Sequence, residues 1–101
     1  MKNGHVVEKV MLGDIYFIEG MKDYVRIWKK EEKIMTLLTF NRLLDILPED
    51  NFCRIHKSYI IALDKIDMIE RNIVHILNEG LTVGKKFQKE FFRRIELRRI
   101  N

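Results

Sequence analysis

Apolar and polar residues alternate with a period of two through most of the chain, which predicts a series of short strands. The clearest run is 24–28, where Val25 and Ile27 fall on one side and Tyr24, Arg26 and Trp28 on the other. Strands are predicted at 6–10, 15–18, 24–28, 34–38, 52–55, 59–62, 66–70, 73–77 and 81–83. The breaks between them carry turn residues: Gly13-Asp14, the polar run 29–33, Arg71-Asn72 (where Asn tolerates a positive φ) and Asn78-Glu79-Gly80. Two segments change period. Phe40, Leu43, Leu44 and Leu47 follow the spacing i, i+3, i+4, i+7 and predict a short helix, with Thr39 as its N-cap and Pro48 as its stop. Arg42 stands where Glu or Gln would complete a capping box. A second helix is predicted from about Lys85, with Phe87, Phe91 and Ile95 as the stripe that docks on a sheet. The expected fold class is mainly β: small antiparallel sheets with one or two short helices.

One stretch interrupts the alternation at its centre. In Arg54-Ile55-His56-Lys57-Ser58-Tyr59-Ile60-Ile61, an extended strand would put Arg54, His56 and Ser58 on one face and Ile55 on the other. Lys57 then falls where an apolar residue is expected. Arg, His, Lys and Ser at a strand break supply donors for phosphates and base edges. The same residues also suit a solvated turn between two strands.

Length and composition narrow the function classes. The 101 residues suit one domain, 1–101, and leave little room for a second. With 47% apolar and 34% charged residues the chain reads as folded, not as a disordered tail. No apolar run approaches the roughly 20 residues that cross a bilayer, and the opening residues do not read as a secretory signal. The single Cys53 excludes an internal disulfide and suits a reducing, cytoplasmic setting. Of the 19 Lys and Arg, seven lie between Lys85 and Asn101, against two of the 15 acidic residues, so the rest of the chain is one unit negative. A basic end suits a polyanion such as DNA; it also suits a solvated helix face.

Catalytic and metal chemistry find no support. Cys53 and His56 would project to opposite faces of a strand and could not pair as thiolate and imidazole. His5, His56 and His75 have no partners at metal-ligand spacing, and Gly80 and Gly84 stand in turns, not in a phosphate-cradling loop. No enzyme activity, metal or cofactor is expected.

Six segments, in order, carry a resemblance. They are a strand closing in Ile18-Glu19, the Tyr24-Val25 strand, a helix ending in Leu47-Pro48, the Arg54 to Tyr59 segment, Leu63-Asp64-Lys65-Ile66, and Val83-Gly84-Lys85-Lys86-Phe87. This order resembles the LytTR family, the DNA-binding output domains of many bacterial response regulators, and it spans about 6–95. The resemblance implies an elongated stack of small antiparallel sheets that binds double-stranded DNA from loops, reaching successive grooves on one face of the duplex.

Three places match those loops: Lys22-Asp23-Tyr24, His56-Lys57-Ser58, and Lys85-Lys86 with Lys89 one helical turn on. Lys57 and Lys86 have the reach to meet guanine O6/N7 or phosphate, and His56 can donate to a phosphate or base acceptor. Tyr24 and Ser58 suit backbone contacts that fix position. Asp23 either accepts from a cytosine amino group, caps its own turn or holds Lys22, with capping preferred. Two departures stand out. Lys57 replaces a frequent Arg or Asn, and Lys85-Lys86 replaces a frequent Arg pair, so a fork-shaped donor becomes a point charge.

The resemblance also implies partners: promoter direct repeats bound by two copies, and an N-terminal receiver domain controlled by a histidine kinase. No receiver fits in this length, so the chain reads as an isolated output domain or an excised fragment. Two other functions remain open. A single-stranded nucleic-acid module would use Tyr24, Trp28 and Tyr59 as stacking platforms. A protein-interaction or sensing domain would use the basic end to dock an acidic partner.

Overall fold

The structure, a computed structural model, describes residues 10–99. The strand expected at 6–10 lies outside them except for Val10, which is not in a strand, and His5 also lies outside. Among the described residues, eight strands form two antiparallel sheets. A five-stranded sheet has the order β3-β2-β1-β5-β4. Its strands are β1 (Phe17–Gly20), β2 (Val25–Trp28), β3 (Lys33–Thr36), β4 (Phe52–His56) and β5 (Tyr59–Ala62). A three-stranded sheet holds β6 (Met68–Glu70), β7 (Ile73–Ile76) and β8 (Glu79–Thr82). Helix α1 (Phe40–Ile46) joins β3 to β4, and α2 (Gln88–Arg99) follows β8. The molecule measures 45 × 25 × 25 Å, the elongated stack that the sequence suggested.

Strands β1, β4 and β5 of the large sheet are buried on both faces and so carry two cores. Ile18, Val25, Ile27, Phe52 and Ile60 pack under Leu43 of α1 and Leu47 just after it. Phe17, Cys53, Ile55 and Ile61, on the opposite face, pack against Val74, Ile76 and Leu81 of the small sheet and Phe91 of α2. Phe91 is fully buried, with Phe87 and Ile95 against the same core, so the expected stripe does dock α2. In α1, the Thr39 hydroxyl accepts from the Arg42 N–H at 3.1 Å. That half of the capping box needs no Glu at position 42. Of its predicted stripe, Leu43 and Leu47 are buried, whereas Leu44 turns partly outward.

Several boundaries differ from the sequence pattern. The first strand runs Phe17–Gly20, not 15–18, because a 3-10 turn at Leu12–Asp14 is followed by two extended residues before pairing begins. A 3-10 turn at Leu63–Lys65 likewise delays β6 to Met68. The turn expected at 78–80 sits one residue earlier: Leu77 and Asn78 both take positive φ (54° and 65°), and Glu79 and Gly80 belong to β8. A two-residue hairpin closed this way has the twist that its flanking strands need, which offsets the strain at Leu77. Between β6 and β7 the positive φ of 59° falls on Arg71, not on Asn72.

Candidate nucleic-acid interface

Strands β4 and β5 form a hairpin whose tip is Lys57-Ser58. Arg54 pairs with Ile60, but the next pair is His56 with Tyr59, so Ile55 is an extra residue and the strand bulges. The bulge brings the His56 ring to 5.3 Å from that of Tyr59, which packs on the same core as Ile55. The expectation that Arg54, His56 and Ser58 share a face is therefore wrong: the unpaired residue shifts the alternation by one. The tip is braced from inside. Arg54 Nε donates to the His56 carbonyl at 3.3 Å, and another guanidinium nitrogen donates to the Lys57 carbonyl at 2.7 Å. The Ser58 N–H donates to His56 Nδ1 at 3.1 Å. Lys57 itself is exposed.

The other two basic segments lie on either side of this tip. In the order β3-β2-β1-β5-β4, the β1–β2 loop falls at the same end as the β4–β5 turn, and the Gly20 N–H donates to the Ser58 carbonyl at 2.8 Å. A cleft between them is lined by Lys22, Tyr24, Thr39, Phe40, Lys57 and Ser58. Beyond the outer edge of β4, the Gly84 N–H donates to the Ile55 carbonyl at 2.7 Å and places the 3-10 turn Lys85–Phe87 beside the tip. The three segments thus stand in a row across one end of the sheet, with His56-Lys57-Ser58 in the middle. Lys22, Lys57, Lys85, Lys86 and Lys89 are exposed, and none has a carboxylate partner among the described residues.

Asp23 departs from its expected role. Its carboxylate neither caps the turn nor holds Lys22: it makes no hydrogen bond or ion pair among the described residues, and the loop is closed by the Met21 N–H on the Tyr24 carbonyl at 2.8 Å. The basic end is also less free than its charge count suggests. Arg93 pairs with Glu90 at 2.6 Å, which holds the Glu90 carboxyl below its usual range and raises Arg93. Arg94 turns inward and donates to the Phe52 carbonyl at 3.0 Å. Two of the three stacking candidates are engaged as well. Trp28 stacks on Phe17 at 4.7 Å, and Tyr59 meets the same ring edge-on at 6.3 Å.

The sequence pattern assigns Phe40 and Phe87 to helical stripes and gives no sign that both rings meet Arg54 at this end of the molecule. Arg54 was grouped with the donors for DNA, yet two of its N–H groups face the turn. Among the described residues no three His, Cys, Asp or Glu side chains come together as metal donors. Cys53 is buried in the core below the hairpin. Burial pushes its thiol up, against the opposing pull of the Arg94 guanidinium. No helix among the described residues is long and apolar enough to cross a membrane.

The family model for the LytTr DNA-binding domain matches residues 5–96. The chain belongs to the LytTr DNA-binding family. The fold agrees: a solved structure assigned as the LytTr DNA-binding domain of a methyl-accepting/DNA response regulator from Bacillus cereus superposes with a TM-score of 0.79 at 18% identity. The match covers 85% of this chain and 84% of that one. No curated protein matches the sequence.

Proposed function

We propose that this LytTr domain binds double-stranded DNA sequence-specifically, as the output domain of a two-component transcription regulator in the cytoplasm. The observation that carries the reading is the row of three basic segments across one end of the large sheet, with the exposed Lys57 at its central tip. A major groove is about 12 Å wide and admits a two-stranded ribbon such as the β4–β5 hairpin. The tip therefore enters one groove while Lys22-Asp23-Tyr24 and Lys85-Lys86 reach the backbone or grooves to either side. Lys89, one helical turn further on, adds a phosphate contact. Asp23, with no partner of its own, is available to accept from a cytosine amino group.

The partners that follow are a promoter with direct repeats and a second copy of the domain on the adjacent repeat. A receiver domain and its histidine kinase would act upstream. Holding two copies together raises apparent affinity by effective concentration, without any new contact to DNA. The single-stranded alternative is disfavoured by Trp28 and Tyr59, whose rings are packed on Phe17. The protein-docking alternative is disfavoured by Arg93 and Arg94, which are engaged within the fold.

Selection from a randomised duplex pool at near-physiological salt tests the reading, with Lys57→Ala alongside. An enriched repeat that blurs in the variant is expected. Absence of enrichment, with affinity that vanishes as salt rises, would overturn it.

A further inference from the structure

The Arg54 guanidinium lies over two aromatic rings. Its central carbon is 5.0 Å from the centroid of Phe40 and 5.8 Å from that of Phe87. Phe40 is the first residue of α1, and Phe87 is the last residue of the 3-10 turn Lys85–Phe87. A glycine stands beyond each ring. A Cβ on Gly20 would come within 3.2 Å of Phe40, and one on Gly84 within 3.1 Å of Phe87. Contacts therefore run without interruption from Gly20 through Phe40, Arg54 and Phe87 to Gly84. Gly20 leads into the loop of Lys22, and Gly84 leads into Lys85-Lys86. In the middle, the same guanidinium holds the carbonyls of His56 and Lys57.

We infer that Arg54 is a positioning residue: its contacts with the Phe40 and Phe87 rings set the spacing of the three DNA-contacting segments, and so which base pairs they read together. The inference rests on the function proposed above. A guanidinium suits the task because it can meet aromatic rings while its N–H groups donate to the carbonyls, and an ammonium lacks that planar, many-donor shape. The geometry also turns it away from DNA, since two of its five N–H donors are bound to the hairpin it braces. Base contacts need the segments in register; phosphate attraction tolerates a displaced loop. Loss of these contacts therefore lowers selectivity far more than it lowers general affinity.

The test uses a duplex selected with the unaltered protein and a scrambled duplex of equal length. Affinity for both is measured across a salt series for Arg54→Lys, Arg54→Met, Phe40→Leu and Phe87→Leu. Thermal unfolding of each variant shows that it is folded. The expected result is a fall of about tenfold or more in the ratio of selected to scrambled affinity, within the range that separates specific from non-specific binding. Affinity for the scrambled duplex should stay within about threefold, and the slope of log affinity against log salt should not move.

A slope reduced by about one in Arg54→Met but not in Arg54→Lys, with selectivity intact in both, would make Arg54 a phosphate contact and overturn the inference. Intact selectivity with an unchanged slope would also overturn it. Should the Arg54 variants unfold, the two Phe→Leu variants carry the test: they keep the apolar contact and lose the flat ring. Unaltered selectivity in both would then reject the role of the ring contacts. If the unaltered protein selects no duplex at all, the proposed function itself fails and this inference falls with it.

Discussion

The backbone N–H of Ser58 donates to Nδ1 of His56 across 3.1 Å, and this bond decides which ring nitrogen is left free to donate. In the neutral imidazole one nitrogen accepts and the other carries the proton, so Nδ1 as acceptor leaves Nε2–H as the donor. His56→Asn keeps an acceptor near the Nδ1 position and removes the outward donor. The variant should melt close to the wild type yet bind its selected duplex about tenfold more weakly, the scale of one good base contact. His56→Ala should lose both the contact and the brace on the tip. A long-range 1H–15N spectrum of the free domain should show the Nε2–H tautomer; the Nδ1–H form would rule out this assignment.

Gly84 tests how tightly the third segment is set. Its φ of −62° is open to any residue, so Gly84→Ala adds no backbone strain and even reduces the freedom of the unfolded chain. The new Cβ would, however, sit 3.1 Å from the Phe87 ring, which must move by a few tenths of an ångström. Stability should therefore change by less than about 1 kcal/mol. Affinity for the selected duplex should fall several-fold, because Lys85 and Lys86 shift with the turn. Thermal unfolding read beside a binding titration separates the two effects; equal losses in both would mean that Gly84 serves only the fold.

Much of this fold was legible in the period-two pattern, and the places where it was not have identifiable causes. The strand 24–28 and helix α1 were read nearly as they stand, because each has one buried face. The first strand was misplaced because Phe17 and Ile18 are both buried, one in each core, and a run that is apolar on both faces has no phase to read. The bulge at Ile55 was invisible, since it depends on how β4 registers with β5 and not on β4 alone. The three basic segments were legible through the family resemblance. Their placement in a row depends on the pairing of β1 with β5, which local pattern does not reveal. The ring contacts on Arg54 join residues from three elements, so only the folded chain brings them together.

Cys53 gives the domain an alkaline dependence of stability. Burial pushes its folded thiol above the ordinary range near about 8.5, and the Arg94 guanidinium offsets part of that rise. A raised pKa favours the neutral thiol in the fold. The contribution is complete below about pH 8.5 and is lost as the pH climbs through the folded value. Cys53→Ala deletes a buried sulfur and should lower stability by about 1 kcal/mol at pH 7. The gap between variant and wild type should narrow as the pH rises above about 8.5 in thermal unfolding. A gap that stays constant would show that the thiol titrates alike in both states. At pH 7 a disulfide reagent should label native Cys53 only as fast as the chain opens.

Trp28 separates duplex binding from single-strand stacking, and as the only tryptophan it reports on itself by fluorescence. Its ring stacks on Phe17 with centroids 4.7 Å apart, and the Lys33 ammonium lies 4.3 Å from its own centroid. Its Nε1–H donates to the Glu19 carboxylate at 3.2 Å, a group that also holds Arg26 at 3.3 Å. A base would have to displace Lys33 or separate the two rings before it could stack, giving up much of the roughly 1–3 kcal/mol that such a contact supplies. Saturating oligothymidine should therefore leave Trp28 emission almost unchanged, and should compete poorly with duplex at physiological salt. Strong, saturable quenching by oligothymidine would show that the ring swings out of its stack. The single-stranded reading would then displace the duplex one.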